Sequence, residues 1–283
     1  MGREERPLIL VSNDDGIGSA GLKSLAESLS ELGEVMVVAP DRERSAAGHS
    51  LTLSRPLRAS HLGEGWYSVD GTPTDCITLA VMGLLPRRPH MVAAGINHGS
   101  NMGDDVTYSG TVSSAIEATL QGIPAFAISV TGDGDFNFRA SGQFAKRLGE
   151  EILRRGLPRD TLLNVNVPNV PPEAIRGVAV TRQGRRVYSE TVVQKIDPRG
   201  KAYYWIGGAA PMWERLGETD YEAVSAGWIS VTPLHLDLTN HQVIDELKAW
   251  GLSLNGGLPT QTPGTSNPLH GQGPQVDRIS VTS

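Results

Sequence analysis

Apolar runs alternate with amphipathic segments along most of the chain. Residues 8–12 are apolar up to a polar turn, which is typical of a strand buried on both faces of a parallel sheet. Leucines at three- and four-residue spacing over residues 20–32 predict a helix, and residues 35–39 predict a second strand that Pro40 ends. This β-α-β order predicts a right-handed parallel unit.

The same alternation continues to about residue 167. Further strands are predicted at 66–70, 91–95, 124–130 and 161–167, and helices at 73–84, 110–122 and 141–155. We therefore expect an α/β fold with a doubly wound, mostly parallel sheet. Ligands bind such sheets beyond the carboxyl ends of the strands, so the loops that leave those ends are where chemistry is expected.

The last third of the chain has a different pattern. It predicts a strand at 176–182, an extended hairpin arm at about 185–207 with strands at 187–193 and 202–206, a strand at 228–232 and a helix at 241–252. The arm either packs on another subunit or lies in solvent, and the pattern leaves both open. Gly, Pro and small polar residues dominate 255–275, so we expect one domain over 1–252 and a disordered tail over 253–283.

Composition narrows the class of protein. With 39% hydrophobic residues, the 283-residue chain can bury a full core. A net charge of −6 argues against binding to a nucleic-acid duplex or an anionic membrane. The single Cys76 excludes a disulfide framework and a cysteine-rich zinc site. The chain shows neither an apolar run of about 18 residues nor a hydrophobic leader, so we expect a cytoplasmic protein.

Two adjacent acids, Asp14 and Asp15, follow the first predicted strand. At the transition from strand to loop their carboxylates can converge, and converging carboxylates repel unless a cation lies between them. Hard cations prefer such oxygen ligands. The alternative is a simple turn before Gly16 with both acids in solvent.

The glycines that follow offer a competing interpretation. Gly16, Gly18 and Gly21 match the G-x-G-x-x-G pattern of a dinucleotide-binding turn, and Asp41 lies where a ribose-binding acid belongs. The two acids directly before these glycines count against it, because a pyrophosphate would have to approach at that point.

A second polar loop, residues 40–50, follows the second strand at the same edge of the predicted sheet. Ser45 can offer a hydroxyl, His49 a proton donor or ligand, and Arg42 or Arg44 a guanidinium for phosphate. The loop could equally be a polar surface loop with compensating charges.

A third polar loop follows the strand at 91–95 and leads into the helix at 110–122. It contains Asn97 and Asn101, and Ser109 and Thr111 stand at the start of the helix. Free backbone amides and hydroxyls there form an anion site, although Ser109 also has an ordinary role as an N-cap. Three further residues that could line the site are His98, Asp104 and Asp105.

These three loops leave three strands at one edge of the sheet, which independent turns need not do. Together they supply carboxylate, hydroxyl and amide oxygens beside an anion-binding helix start. That combination suits Mg²⁺ or Mn²⁺ and a phosphate group, so it favours a phosphate hydrolase.

Four motifs in order carry a resemblance to a known family: Ile9–Gly16, Val38–Ser45, Gly71–Cys76 and Gly95–Thr111. They resemble the SurE family of stationary-phase survival proteins, which are metal-dependent 5'(3')-nucleotidases. The similarity covers about residues 7–252. It implies a Rossmann-like, three-layer core with a C-terminal helix, and a hairpin arm and C-terminal segment exchanged within a homodimer or homotetramer.

The resemblance also implies a site. The family's ligands for one divalent ion per subunit correspond to Asp14, Asp15, Ser45 and Asn97. The phosphate-binding part corresponds to Asn101, Ser109, Gly110 and Thr111, and we add His49 to the candidate substrate residues. The implied substrates are nucleoside 5'-monophosphates, with 3'-nucleotides and short polyphosphate as further ones.

Two mechanisms and two rival functions remain open. Asp14 would bind the metal and orient or deprotonate a water, with Asp15 mainly a ligand. An aspartyl-phosphate route through Asp14 ranks second, because the haloacid-dehalogenase-like pattern has one residue between its two acids and here they are adjacent. The rival functions are an NAD(P)-dependent oxidoreductase using the three glycines and a non-catalytic nucleotide sensor.

Overall fold

The structure is a computed structural model that describes residues 6–132, 134–187, 192–206 and 212–252. It divides into one unit up to Asp237 and another from Leu238 onward. The expected domain over 1–252 therefore stays a prediction. The expected tail also stays a prediction, because it lies outside the described residues.

The first unit contains thirteen strands and five α-helices among its described residues. The strands are β1 (Leu8–Ser12), β2 (Glu34–Pro40), β3 (Ala59–Gly63), β4 (Trp66–Val69), β5 (Met91–His98), β6 (Ala125–Thr131), β7 (Thr161–Pro168), β8 (Val178–Val180), β9 (Arg186–Val187), β10 (Val192–Ile196), β11 (Ala202–Ile206), β12 (Met212–Trp213) and β13 (Ile229–His235). The helices are α1 (Ala20–Ser30), α2 (Pro73–Leu79), α3 (Gly110–Leu120), α4 (Arg139–Arg155) and α5 (Asp220–Ser225). In the second unit, a short 3-10 turn precedes α6 (Ile244–Ala249).

Nine strands form one sheet in the order β3-β4-β2-β1-β5-β6-β7-β13-β8. The six strands from β4 to β7 are parallel, whereas β3 and β13 pair antiparallel with their neighbours in that block. From β1 the chain proceeds to β2 on one side and later to β5 on the other. The prediction of a doubly wound, mostly parallel sheet is confirmed, and the crevice between β1 and β5 is its topological switch point.

Helices cover both faces of the sheet, and the alternation of side chains along β1 shows how. Ile9 and Val11 belong to the core that includes α1 and α4, whereas Leu10 belongs to the core that includes α2 and α3. Leu22, on the inner face of α1, is fully buried. Because both sides of the strand are covered, the run at 8–12 is apolar at every position.

The structure differs from the predicted elements mainly in the last third. The arm pairs Val192–Ile196 with Ala202–Ile206, so its first strand extends beyond the predicted end at residue 193. Arg186–Val187 instead pairs with Met212–Trp213 in a separate small ribbon. Strand β3 and helix α5 were not predicted, since each is short and only weakly periodic. Every helix in the described part of the chain is too short or too polar to span a lipid bilayer.

Candidate active site

Side chains from the three polar loops surround one cavity of about 600 Å³ at the switch point. In the sheet, Val11 of β1 lies opposite Val37 of β2, and Ser12 lies opposite Ala94 of β5, so the loops leave the sheet side by side. Eight predicted residues line the cavity: Asp14, Asp15, Ser45, Asn97, His98, Asn101, Asp105 and Ser109. Five residues that were not predicted line it as well: Ser19, Glu43, Ala46, Ser100 and Tyr108.

Asp14 lies against the first residues of α3. Its Oδ1 accepts a hydrogen bond from the Thr111 hydroxyl, which is also 3.3 Å from Asn97 Oδ1. A Cβ at Gly110 would lie 2.7 Å from the Cβ of Asp14 and 2.9 Å from its Oδ2. Only glycine therefore allows the carboxylate to sit at the helix start, so Gly110 and Thr111 act on Asp14 and do not line the cavity.

The electrostatics of the two acids suit a cation. Burial, together with the nearby charge of Asp15, raises the pKa of Asp14 to about 6, although the hydrogen bond from Thr111 opposes the shift. Asp14 is only 5% exposed, so water screens the repulsion poorly. A divalent cation at this point would remove the repulsion and favour both ionised carboxylates.

The second loop is fastened to the first by a backbone hydrogen bond from Arg44 N to Asp14 O, at 2.7 Å. The Ser45 hydroxyl donates to Glu43 Oε1 at 2.6 Å. Since its proton points to Glu43, the oxygen lone pairs of Ser45 remain available for a cation.

The donor set is made of oxygens from Asp14, Asp15, Asn97 and Ser45. It fits a hard divalent cation and does not fit a soft one, which would call for thiolates or imidazoles. The described residues contain no group of three or more His, Cys, Asp or Glu side chains that could hold a metal ion. A site here therefore depends on the amide and hydroxyl ligands as well as the two acids.

The helix start offers a place for an anion. Ser109 is the N-cap of α3, and its Oγ accepts from Val112 N at 3.1 Å, as expected for a cap. Ser109 lines the cavity, so the amino end of α3 faces the same space as the acids.

Asn101 is held from below by side chains that we did not predict. Its backbone oxygen accepts from Asn164 and Asn166 of β7, at 2.8 and 2.9 Å, and its Nδ2 donates to Ser129 of β6 at 2.9 Å. Asn164 and Asn166 are two residues apart in a largely apolar strand, so they share one face of the sheet. That spacing could have predicted that they act together.

His49 lies apart from the cavity. Its Nε2 is 3.0 Å from Glu117 Oε2 on the flank of α3, and this contact lowers the pKa of Glu117. The geometry gives His49 a structural contact and no place among the lining residues, so it does not support a substrate-binding role. Asp104 also points elsewhere, because it accepts from the backbone of Arg186 at 2.9 Å.

The glycines of the competing dinucleotide pattern have structural reasons of their own. Gly16 has a φ of +95°, and a Cβ there would lie 2.9 Å from the Arg42 carbonyl carbon. At Gly21 a Cβ would overlap the Ile96 carbonyl oxygen, so this glycine lets α1 pack closely on β5. A Cβ at Gly18 would have no atom within 4 Å, so a glycine is not required there. Two acids border the turn as well, so the pattern does not indicate a dinucleotide site.

The protein is thus an α/β protein with an acid-lined cavity beside a helix amino end, at the switch point of a doubly wound sheet, where such folds bind ligands. Comparisons with known proteins agree. The family model "Survival protein SurE" matches residues 9–190. The chain therefore belongs to the SurE family.

Similar proteins cover most of the chain. A protein named 5'-nucleotidase SurE from Geobacter sulfurreducens is 55% identical over 246 residues, which is 87% of this chain and 94% of that protein. The protein of the same name from Geotalea daltonii is 56% identical over 243 residues, 86% of this chain and 98% of that protein. The crystal structure of the SurE protein from Aquifex aeolicus is 45% identical, with a TM-score of 0.78, and covers 86% of this chain and 99% of that one.

Proposed function

We propose that this protein is a divalent-metal-dependent 5'-nucleotidase that hydrolyses nucleoside monophosphates to nucleoside and phosphate. The observation that carries the proposal is the single cavity shared by Asp14, Asp15, Asn97 and Ser109. The names of the similar proteins support the same activity. Neither source favours the oxidoreductase or the sensor.

Asp14, Asp15, Ser45 and Asn97 would hold one Mg²⁺ or Mn²⁺ ion. When bound, the ion would polarise the phosphoryl oxygens and neutralise charge on them. Asp14 would orient the attacking water and accept its proton, while the Thr111 hydroxyl keeps its Oδ1 in place. Asn101 and Ser109, which line the cavity at the amino end of α3, would bind the phosphoryl oxygens as negative charge develops.

Phosphate release tests the proposal directly. We expect release from nucleoside 5'-monophosphates with Mn²⁺ or Mg²⁺, loss of that release in EDTA, and recovery when the metal is returned in excess. Parallel assays with 3'-monophosphates and short polyphosphate test the wider substrate range. Binding of a nucleotide without release, by a folded sample with either metal, would favour the sensor and contradict the proposal.

We also propose that the arm, strands β10 and β11, packs against a second copy of the chain in a homodimer or homotetramer. Seven apolar residues of the arm are exposed in the isolated chain: Val192, Val193, Ile196, Tyr203, Tyr204, Trp205 and Ile206. A two-stranded hairpin is marginally stable alone in water, and an apolar patch of this kind marks an interface.

Sedimentation tests the assembly. We expect the wild type to sediment as a dimer or tetramer and the double variant Trp205→Ser, Ile206→Ser to shift towards smaller species. Leu53→Ser is the control, since Leu53 is 88% exposed and belongs to the loop between β2 and β3, not to the arm. A monomeric wild type, or an unchanged assembly in the double variant, would contradict this proposal.

A cytoplasmic location also stays a prediction. Cys76 is buried and forms no disulfide, and burial raises the pKa of its thiol, so this residue needs no oxidising compartment.

A further inference from the structure

His98 lies in the cavity wall and forms a hydrogen bond with the predicted metal ligand Asp15. It is the last residue of β5, directly after Asn97, and its Nδ1 is 2.8 Å from Asp15 Oδ2. The two residues are 83 positions apart and meet because β1 and β5 are neighbours at the switch point. The Asp15 side chain is 15% exposed, so this hydrogen bond is largely shielded from water.

The imidazole ring is held by two aromatic side chains from the loop between β6 and α4. Phe136 and Phe138 contact the ring edge to face, with centroid distances of 5.3 and 5.1 Å. The two phenyl rings stand nearly parallel, 6.3 Å apart. Edge-to-face contacts with two phenyl rings restrict the rotation of the imidazole, so its Nδ1 keeps one direction.

The hydrogen bond has a definite polarity. An ionised carboxylate can only accept, so the proton lies on His98 Nδ1. Oδ2 of Asp15 is thereby engaged, whereas its Oδ1 accepts no hydrogen bond from the part of the chain that the structure describes. One carboxylate oxygen is fixed and the other is left for a ligand.

We infer that His98 is a positioning residue, which holds Asp15 so that a single oxygen of its carboxylate faces the cation of the proposed site. The inference rests on the proposed function, because it needs a cation at that site. Partners that orient a metal ligand in this way commonly change metal affinity by about 10- to 100-fold when removed. Without the ring, the Asp15 carboxylate could rotate away from Asp14, which repels it.

Metal binding without substrate tests this role. The probe is Mn²⁺ added to metal-free full-length protein, with free Mn²⁺ measured by its electron paramagnetic resonance signal. We expect His98→Ala to weaken Mn²⁺ binding by about 10-fold or more. His98→Asn should recover most of the loss, because the asparagine Nδ2 takes the place of the imidazole Nδ1. His98→Gln places its amide farther out and should resemble the alanine variant.

Two controls separate positioning from stability. His61→Ala removes another histidine in aromatic contact, 4.7 Å from Tyr67 in the β3–β4 hairpin, and should bind Mn²⁺ like the wild type. Urea unfolding of each metal-free variant reports any general loss of stability, and we expect this loss to be equal in His98→Asn and His98→Gln.

The outcomes are distinct. If the wild type binds Mn²⁺ and His98→Ala binds it equally well, the inference is wrong while the proposed metal site stands. If His98→Asn binds Mn²⁺ as weakly as His98→Ala, the hydrogen bond to Asp15 is not the cause and the inference is again wrong. If the wild type binds no Mn²⁺, the proposed function fails, and the inference fails with it.

Discussion

The variant Asp14→Asn is expected to release phosphate from nucleoside monophosphates at least about 10³-fold more slowly than the wild type, at saturating metal. The change removes one negative charge from the cation site and the group placed to accept the proton of water. It keeps the size of the side chain, and the amide oxygen can still accept from the Thr111 hydroxyl. The chemistry is therefore lost with little change in shape.

The fold should survive this substitution. Burial raises the pKa of Asp14 from 3.8 to about 6. Ionising Asp14 therefore costs more free energy in the folded, metal-free protein than in the unfolded chain. That cost appears as the pH rises through this range, and a neutral asparagine avoids it. At neutral pH the metal-free variant should unfold at a temperature no lower than the wild type.

The assay compares kcat with the thermal midpoint in the same samples. Asp245→Asn is the matched control, because it makes the same chemical change at a side chain that is 93% exposed. It should leave both quantities unchanged. Turnover close to the wild-type rate in Asp14→Asn would show that this carboxylate has no part in the reaction.

The loops around the cavity could be predicted because one rule of parallel sheets brings them together. Asp14, Ser45 and Asn97 each follow a predicted strand, and parallel neighbours end at the same edge of the sheet. The period of the apolar runs was therefore enough to infer that these three loops lie side by side at one cavity. The same reasoning could not find that His49 turns towards Glu117, because the course of a polar loop is set by side-chain contacts.

Side-chain contacts between residues far apart in the chain could not be predicted from the sequence. His98 meets Asp15 only because the strand order places β5 beside β1, and the sequence leaves the orientation of each side chain open. The acid Asp220 gave no signal either, since it starts a helix of six residues with little periodicity. Its carboxylate binds the backbone of Gly103 and Gly184, which are distant from it in the sequence.

Asp220 is fully buried and joins the cavity loop to the base of the arm. Its Oδ2 accepts from Gly103 N and its Oδ1 from Gly184 N, both at 2.9 Å. Gly103 is followed by Asp104 and Asp105, and Asp105 lines the cavity and pairs with Arg186 at 2.6 Å. One carboxylate thus ties the wall of the site to the residues that lead into the arm.

Asp220→Ala is expected to lower the free energy of unfolding by about 2–4 kcal/mol, because the backbone amides of Gly103, Gly184 and Tyr221 lose their acceptor. Burial raises the pKa of Asp220, so the desolvation of its charge offsets part of what the hydrogen bonds contribute. Asp220→Asn should lose less, since its one amide oxygen can still accept from one of the two glycines. Urea unfolding monitored by tryptophan fluorescence gives the free energies.

The control for this prediction is Asp197→Ala in the turn of the arm. Asp197 also accepts from two backbone amides, those of Arg199 and Lys201, at 2.9 and 2.8 Å, but in an exposed turn. Water can replace the lost acceptor there, so we expect a cost below about 1 kcal/mol. Equal losses in the two alanine variants would mean that burial of the Gly103 and Gly184 amides is not what makes Asp220 important, and the link from arm to cavity would then need another explanation.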